Sequence, residues 1–131
     1  MTSARIDLMV EQGATYTKNL VWRTASTSEG PGTPISLVGF SAKMQIRPDY
    51  DSEIVLLELT DTSGSTGITL GGEEGTIDIR IGALDTAALD PGDDISGKIG
   101  VYDLLLIETT DPTHVIRILK GSVFVSSRVT V

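Results

Sequence analysis

A strict two-residue alternation of apolar and polar side chains is the feature that most constrains how this chain folds. Residues 40–47 read FSAKMQIR and residues 77–81 read IDIRI, so every second side chain is apolar. Successive side chains of a β-strand point to opposite faces of a sheet, and this period therefore indicates strands with one buried face. In the first segment the alternation places Met44 inside the protein.

Short segments of this kind follow one another along the chain, separated by turn residues at intervals of about 8–12 residues. Val, Ile and Thr, which suit a pleated surface, make up 39 of the 131 residues. The pattern predicts an all-β fold, an antiparallel Ig-like β-sandwich of about nine short strands with at most one short helix, as a single domain over residues 1–131. The predicted strands cover residues 5–11, 16–22, 35–37, 40–47, 54–59, 68–70, 77–81, 101–108 and 115–126, the last as one strand or as two with a bulge at Gly121.

Two segments depart from the strand pattern. Residues 83–89 contain good helix formers and precede a Pro-Gly pair, which predicts one or two helical turns with Leu84 and Ala88 on one face. Residues 24–34, TASTSEGPGTP, are rich in turn formers and are expected to be a mobile loop.

The composition excludes several classes of function. The chain has no cysteine, which rules out disulfides, thiolate metal sites and cysteine nucleophiles. Its apolar stretches are too short to span a membrane, and its first residues lack the apolar segment of a secretory signal. A net charge of −8 makes the chain a poor candidate for nucleic-acid binding, because phosphates must be neutralised by cations.

The charges are unevenly distributed. The net charge is +2 over residues 1–48, −13 over residues 49–113 and +3 over residues 114–131. Such asymmetry can steer one subunit onto another, with basic surface against acidic surface. We favour the simpler interpretation that acidic residues collect in solvated loops, because they occur beside Gly, Ser, Pro and Thr.

No combination of residues makes a convincing catalytic site. His114 is the only histidine and precedes a strand in a predicted hairpin. A general base needs an oriented nucleophile, and nothing in the sequence brings Ser126 or Ser127 to this histidine. We therefore expect a surface histidine, no catalytic residue and no enzymatic activity.

Acidic and glycine-rich loops are weak candidates for ligand sites. Asp90, Asp93 and Asp94 lie in one turn, and residues 49–53, DYDSE, form a second acidic loop, but neither has the spacing of a calcium-binding loop. Residues 71–75, GGEEG, lack the Lys and Ser or Thr of a phosphate loop and are predicted to form a turn. We predict no metal ligand and no cofactor, with calcium in the acidic loops as the open alternative.

The few aromatic residues argue against a carbohydrate-binding surface. The chain has one Trp, three Tyr and two Phe. Trp22 shares strand parity with Leu20, and Tyr102 with Leu104, so both aromatic rings are predicted to pack in the core. Tyr50 is expected to be an ordinary loop residue rather than a platform for a sugar.

Several segments together resemble a known family. They are EQGATY at 11–16, LVW at 20–22, PISLVGFSAKMQIR at 34–47, YDL at 102–104 and RILKGSVFV at 117–125. In this order they resemble small β-sandwich structural proteins of tailed bacteriophages and prophages. They are also similar to the N-terminal domain of upper baseplate proteins, which attach receptor-binding parts to the tail. The resemblance covers roughly residues 9–130, and at 37–39 the chain has Leu-Val-Gly where the family usually has Leu-Thr-Gly.

The resemblance implies a non-enzymatic virion structural protein of the tail, at the baseplate or at a fibre attachment. Its partners would be other virion proteins and copies of itself, in an oligomer assembled in the bacterial cytoplasm, where a chain without cysteine is suited to the reducing conditions. Neither nucleic acid nor membrane insertion is expected. The ends of the chain, residues 1–5 and 127–131, are expected to be unpaired and able to add a strand to a neighbouring subunit.

Two alternatives stay open. A capsid decoration or head–neck protein would share this composition, and binding to empty heads rather than tails would identify it. A carbohydrate-binding module for the host surface would need exposed aromatic residues. In longer family members a receptor-binding or trimerising segment follows the domain. For this chain we expect such a segment to lie on another protein, or the chain to serve only as an adaptor or decoration.

Overall fold

The computed structural model of the chain describes residues 4–23, 32–61, 66–92 and 96–127. These residues form nine β-strands, one short α-helix and a 3-10 turn at Gly72–Glu74. The fold is all-β, as the alternation predicts. The elements are β1 (Ala4–Arg5), β2 (Leu8–Glu11), β3 (Tyr16–Val21), β4 (Phe40–Arg47), β5 (Leu57–Thr60), β6 (Gly67–Leu70), β7 (Thr76–Ile81), α1 (Ala83–Ala88), β8 (Lys98–Glu108) and β9 (Val115–Ser126).

The strands form two sheets with a shared core between them. In the larger sheet, β9 has β8 on one side, followed by β4 and β5, and has both β1 and β2 on its other side. The smaller sheet has the order β3-β7-β6. The strands pair in antiparallel fashion, except that β1 and β2 run parallel to β9. The first and the last of these strands are therefore neighbours.

Alternate side chains of both sheets build the core. The prediction for β4 is confirmed, since Ala42, Met44 and Ile46 are buried and Met44 has no exposed surface. The three isoleucines of β7 are also buried and belong to the same apolar cluster. The two-residue period thus assigns the correct buried face of β4 and of β7.

Three predicted strands differ from the structure, and the one predicted at 5–11 is divided into β1 and β2. Residues 35–37 form no strand, although Leu37 is buried, and the nearest pairing is a single bridge between Arg23 and Pro34. The strand predicted at 54–59 begins only at Leu57, and the three apolar residues before it are exposed. An apolar segment indicates a tendency to be buried, but it does not specify which backbone groups find a partner strand.

β9 is one continuous strand, and the predicted bulge at Gly121 is wrong. Gly121 pairs directly with Tyr102, and the register irregularities lie elsewhere along β8 and β9. Glycine is needed at this position for another reason, because a Cβ on Gly121 would lie 2.2 Å from the carbonyl oxygen of Ile6. The missing side chain lets the segment between β1 and β2 approach β9.

The N-terminal segment is part of the larger sheet. Ala4 and Arg5 pair with β9, so the expectation that residues 1–5 are unpaired is wrong for these two residues. Ile6 continues the contact, because its carbonyl accepts a 2.6 Å hydrogen bond from the Tyr102 hydroxyl. Residues 1–3 and 128–131 lie outside the described residues.

Helix α1 confirms the predicted helical turns and connects the two sheets. Leu84 and Ala88 share its solvent-exposed side. Its buried residue is Thr86, whose hydroxyl donates a hydrogen bond to the Ala14 carbonyl at 2.8 Å and accepts one from the Gly13 N–H at 3.1 Å. The helix therefore fixes the turn between β2 and β3. Most of the loop predicted at 24–34, residues 24–31, lies outside the described residues.

Candidate interaction surface

The histidine and the serines considered for catalysis lie at opposite ends of β9. His114 precedes the strand and Ser126 ends it, so roughly 40 Å separates them at the usual rise of a strand. His114 is exposed, as predicted, and its Nδ1 lies 2.7 Å from Oε2 of Glu108 across the β8–β9 hairpin. The hydrogen bond with His114, and next that from Thr110, lowers the pKa of the Glu108 carboxyl.

The acidic loops use their carboxylates to stabilise local turns. Asp90 accepts a hydrogen bond from the Gly92 N–H at 2.8 Å, and Asp49 accepts one from the Asp51 N–H at 3.4 Å. Within the part of the chain that the structure describes, no three His, Asp or Glu side chains are close enough to hold a metal ion. Residues 93–94 lie outside that part.

The aromatic residues fall into two groups. Trp22 is half-buried against the core and Tyr102 is buried, as their strand parity predicts. Tyr50, in contrast, is 57% exposed. Residues 71–75 form the predicted turn around Gly72–Glu74.

The side of the larger sheet that faces away from the core, which we call the outer face, brings together residues from distant parts of the chain. The pairing of β4, β8 and β9 arranges its side chains in rows across the strands. These rows are Ser41, Ile107 and Val115; Lys43, Leu105 and Arg117; Gln45, Asp103 and Lys120; and Arg47, Val101 and Ser122.

An aliphatic strip runs along the outer face on β8. Val101 is buried, Leu105 and Ile107 are half-buried, and Val115 of β9 lies beside Ile107 with 45% exposure. On the opposite side of the same strand, leucines fill the core. A strand that is apolar on both sides is typical of a position where both faces become covered.

Cations flank this strip. Lys43 and Arg117 lie on either side of Leu105, and Lys120 lies beside Asp103. In the described residues these three side chains have no carboxylate oxygen within 4.0 Å, whereas Arg5 contacts Asp7 at 3.5 Å. We call Lys43, Leu105, Arg117 and Lys120 the basic patch.

The smaller sheet presents a different surface to solvent. Its outward side chains on β3, β6 and β7 are mainly polar, and they include Thr17, Asn19, Val21, Thr69, Asp78 and Arg80. The combination of an aliphatic strip with flanking cations therefore belongs to the larger sheet.

An acidic loop, residues 49–56, follows β4 at one end of the outer face. Arg47 positions it by donating a hydrogen bond from Nη1 to the Ser52 carbonyl at 2.8 Å. The loop exposes both carboxylates and apolar side chains, which are Asp49, Tyr50, Asp51, Glu53, Ile54, Val55 and Leu56. A shallow cleft of about 270 Å³ lies beside the loop and is lined by residues that include Arg47, Tyr50 and Asp103.

No protein-family model matches the chain, and no curated protein matches it. Across the ranges that the structure describes, none of the helices is both long and apolar enough to cross a bilayer.

The outer face was not among the candidate sites that the sequence patterns predict. One signal was present, because residues 104–107 read LLLI and four successive apolar residues place apolar side chains on both sides of a strand. The flanking cations gave no such signal. Lys43 and Arg117 are 74 positions apart in the chain, and only the pairing of β4, β8 and β9 places them around Leu105.

Proposed function

We propose that this protein is a non-enzymatic structural component of a tailed-bacteriophage virion, located in the tail at the baseplate or at a fibre attachment. It acts through contacts with other virion proteins and with copies of itself. The resemblance of five sequence segments to virion β-sandwich proteins supports the phage assignment.

The outer face of the larger sheet is the observation that carries the protein-contact role. A partly exposed apolar strip flanked by charged side chains is typical of a surface that binds another protein. The strip is also built on paired strands rather than on a loop, so its side chains are held in fixed positions before a partner arrives.

Electron microscopy with gold-labelled antibodies on purified particles from the producing strain tests the location. We expect label at the distal end of the tail. Label over the head or neck would replace the proposal with a decoration or head–neck protein. Particles without label would overturn the virion assignment.

A pair of matched variants tests the role of the outer face. Leu105→Arg introduces a charge into the aliphatic strip, whereas Thr17→Arg introduces the same charge on the outward side of the smaller sheet. We expect only Leu105→Arg to reduce the amount of protein in purified particles. Equal incorporation of both folded variants would contradict an assembly role for the outer face.

One observation favours a second candidate, a carbohydrate-binding module for the host surface. Tyr50 is exposed beside a cleft lined by Arg47 and Asp103, and an aromatic ring next to polar groups can hold a sugar. Calorimetric titration of host polysaccharide into wild-type protein and into Tyr50→Ala measures whether the polysaccharide binds and whether binding depends on Tyr50. Binding that is lost in Tyr50→Ala would support the module, and no heat of binding to wild-type protein would exclude it.

A further inference from the structure

We propose that two copies of this chain pair through their outer faces, so that the acidic loop of each copy lies on the basic patch of the other. The inference rests on the proposed function and deepens it, because it names the partner of the same surface. Its support is the complementarity between two surfaces that one chain carries.

The two surfaces match in charge. The basic patch has three cations, and no carboxylate lies within 4.0 Å of them in the described part of the chain. The acidic loop carries Asp51 and Glu53, which are exposed and likewise form no ion pair there. Opposite charges that meet across an interface favour association and set its register.

The two surfaces also match in apolar character. Leu105 and Ile107 are half-buried on the strip, while Ile54 and Val55 are exposed on the acidic loop. Burying these side chains against one another would remove apolar surface from water on both copies. A contact made of ion pairs alone would lack this contribution.

The position of the loop allows a symmetric arrangement. Lys43 lies four residues before Arg47, after which the loop begins, so Lys43 and the start of the loop are separated by about 13 Å along β4. Two outer faces can lie against each other, related by a twofold axis that runs between the sheets and perpendicular to the strands. This axis reverses the strand direction, so the patch end of β4 in one copy lies over the loop end of β4 in the other. Each loop then lies over the patch of the other copy, and the two contacts are identical.

Other pairings of these surfaces are less favourable. Two basic patches in direct contact would bring like charges together, and so would two acidic loops. The exchange of loop and patch is the arrangement that brings the basic patch of each copy against the acidic loop of the other.

Sedimentation analysis of the full chain tests the pairing. We expect a mass of twice 13.9 kDa at high protein concentration and low ionic strength. The patch variant carries Lys43→Glu and Arg117→Glu, and the loop variant carries Asp51→Lys and Glu53→Lys. Each variant alone has like charges at both contacts, and we expect its self-association to weaken about 100-fold.

Mixing the two variants is the decisive step. At one contact of the mixed pair, the acidic patch of the patch variant meets the basic loop of the loop variant. At the other contact, the unchanged basic patch of the loop variant meets the unchanged acidic loop of the patch variant. We therefore expect a dimer with one copy of each variant. Its formation also shows that both variants are folded.

Matched controls carry the same charge changes elsewhere. Arg23→Glu with Arg80→Glu alters exposed positions in β7 and just after β3, and Glu73→Lys with Glu74→Lys alters the 3-10 turn. Both controls are expected to dimerise as the wild-type chain does.

Three results would overturn the pairing. They are a wild-type chain that stays monomeric, a dimer that the patch and loop variants do not weaken, and a variant mixture that forms no dimer. None of these results would change the position of the gold label at the tail, so the proposed function would stand. Conversely, a dimer in solution with no label on particles would overturn the virion assignment and leave the pairing intact.

Discussion

Met44 shows how much of the fold depends on a single side chain. It lies in β4 without exposed surface, whereas its neighbour Gln45 lies on the outer face. We expect Met44→Asp to unfold the protein, because a buried carboxylate without a partner costs about 4 kcal/mol or more. Thermal unfolding followed by circular dichroism measures the effect.

Thr17→Asp is the matched control, since it adds the same charge at an exposed position on the outward side of the smaller sheet, opposite Arg80. Its melting temperature is expected to stay close to that of the wild type. A wild-type melting temperature for Met44→Asp would contradict the orientation of β4.

Tyr102 links the core to the N-terminal edge of the larger sheet. Its ring is buried and its hydroxyl donates a hydrogen bond to the Ile6 carbonyl. Burial raises the pKa of the Tyr102 phenol well above 10.0, and the nearby Tyr16 and Asp7 raise it further. The folded protein therefore keeps this proton at a pH at which an unfolded chain releases it.

This difference predicts a loss of stability in alkali. Below about pH 10 both states hold the proton, and above it the unfolded state binds fewer protons, so the free energy of unfolding falls as the pH rises. Tyr102→Phe is expected to reduce this fall and, by removing the hydrogen bond, to cost about 1 kcal/mol at neutral pH. Denaturant titrations across this pH range measure both, and the same alkaline slope in the two proteins would count against the prediction.

At the scale of elements, α1 connects the sheets through one buried hydroxyl. Thr86 has no exposed surface, and its Oγ1 contacts the Ala14 carbonyl and the Gly13 N–H in the turn between β2 and β3. Gln12 adds a second link, because its side-chain amide donates to the Ala87 carbonyl at 3.1 Å. A six-residue helix has little stability of its own, so these contacts hold it in place.

Replacing Thr86 tests this role. Thr86→Val keeps the shape but leaves the backbone groups of the turn without their partner, and we expect a loss of about 2 kcal/mol in the free energy of unfolding. Thr86→Ser keeps the hydroxyl and is expected to lose less. Equal stability of the two variants would show that the hydroxyl does not matter.

At the scale of the whole molecule, the order of the strands couples the two ends of the described chain. β2 and β9 are separated by more than 100 residues, yet they pair over four positions. β1 and β2 can join the larger sheet only after β9 has formed, because β9 is their partner strand. Folding therefore depends on contacts between residues that are far apart in the chain.

Such a topology predicts slow folding. All-β domains with many non-local pairings refold in milliseconds to seconds, and we expect the same of this chain. Stopped-flow refolding followed by the fluorescence of Trp22, which is half-buried against the core, measures the rate. Completion within microseconds would contradict the role of the long-range pairing.

Several features of this protein followed from the sequence because their causes are local. The alternation in β4 and β7 assigned the buried faces, and the helix formers before a Pro-Gly pair located α1. The parity of Trp22 and Tyr102 placed both rings correctly. In each case the period of a strand or the propensity of a few neighbouring residues decides the outcome.

The remaining features were decided by tertiary structure. The basic patch exists because non-local pairing places Leu105 between Lys43 and Arg117, and no local pattern encodes that register. Gly121 was misread for the same reason, since the group that excludes a side chain there belongs to Ile6. Local sequence patterns determine which side chains are buried, whereas the pairing of distant strands determines which side chains lie next to each other.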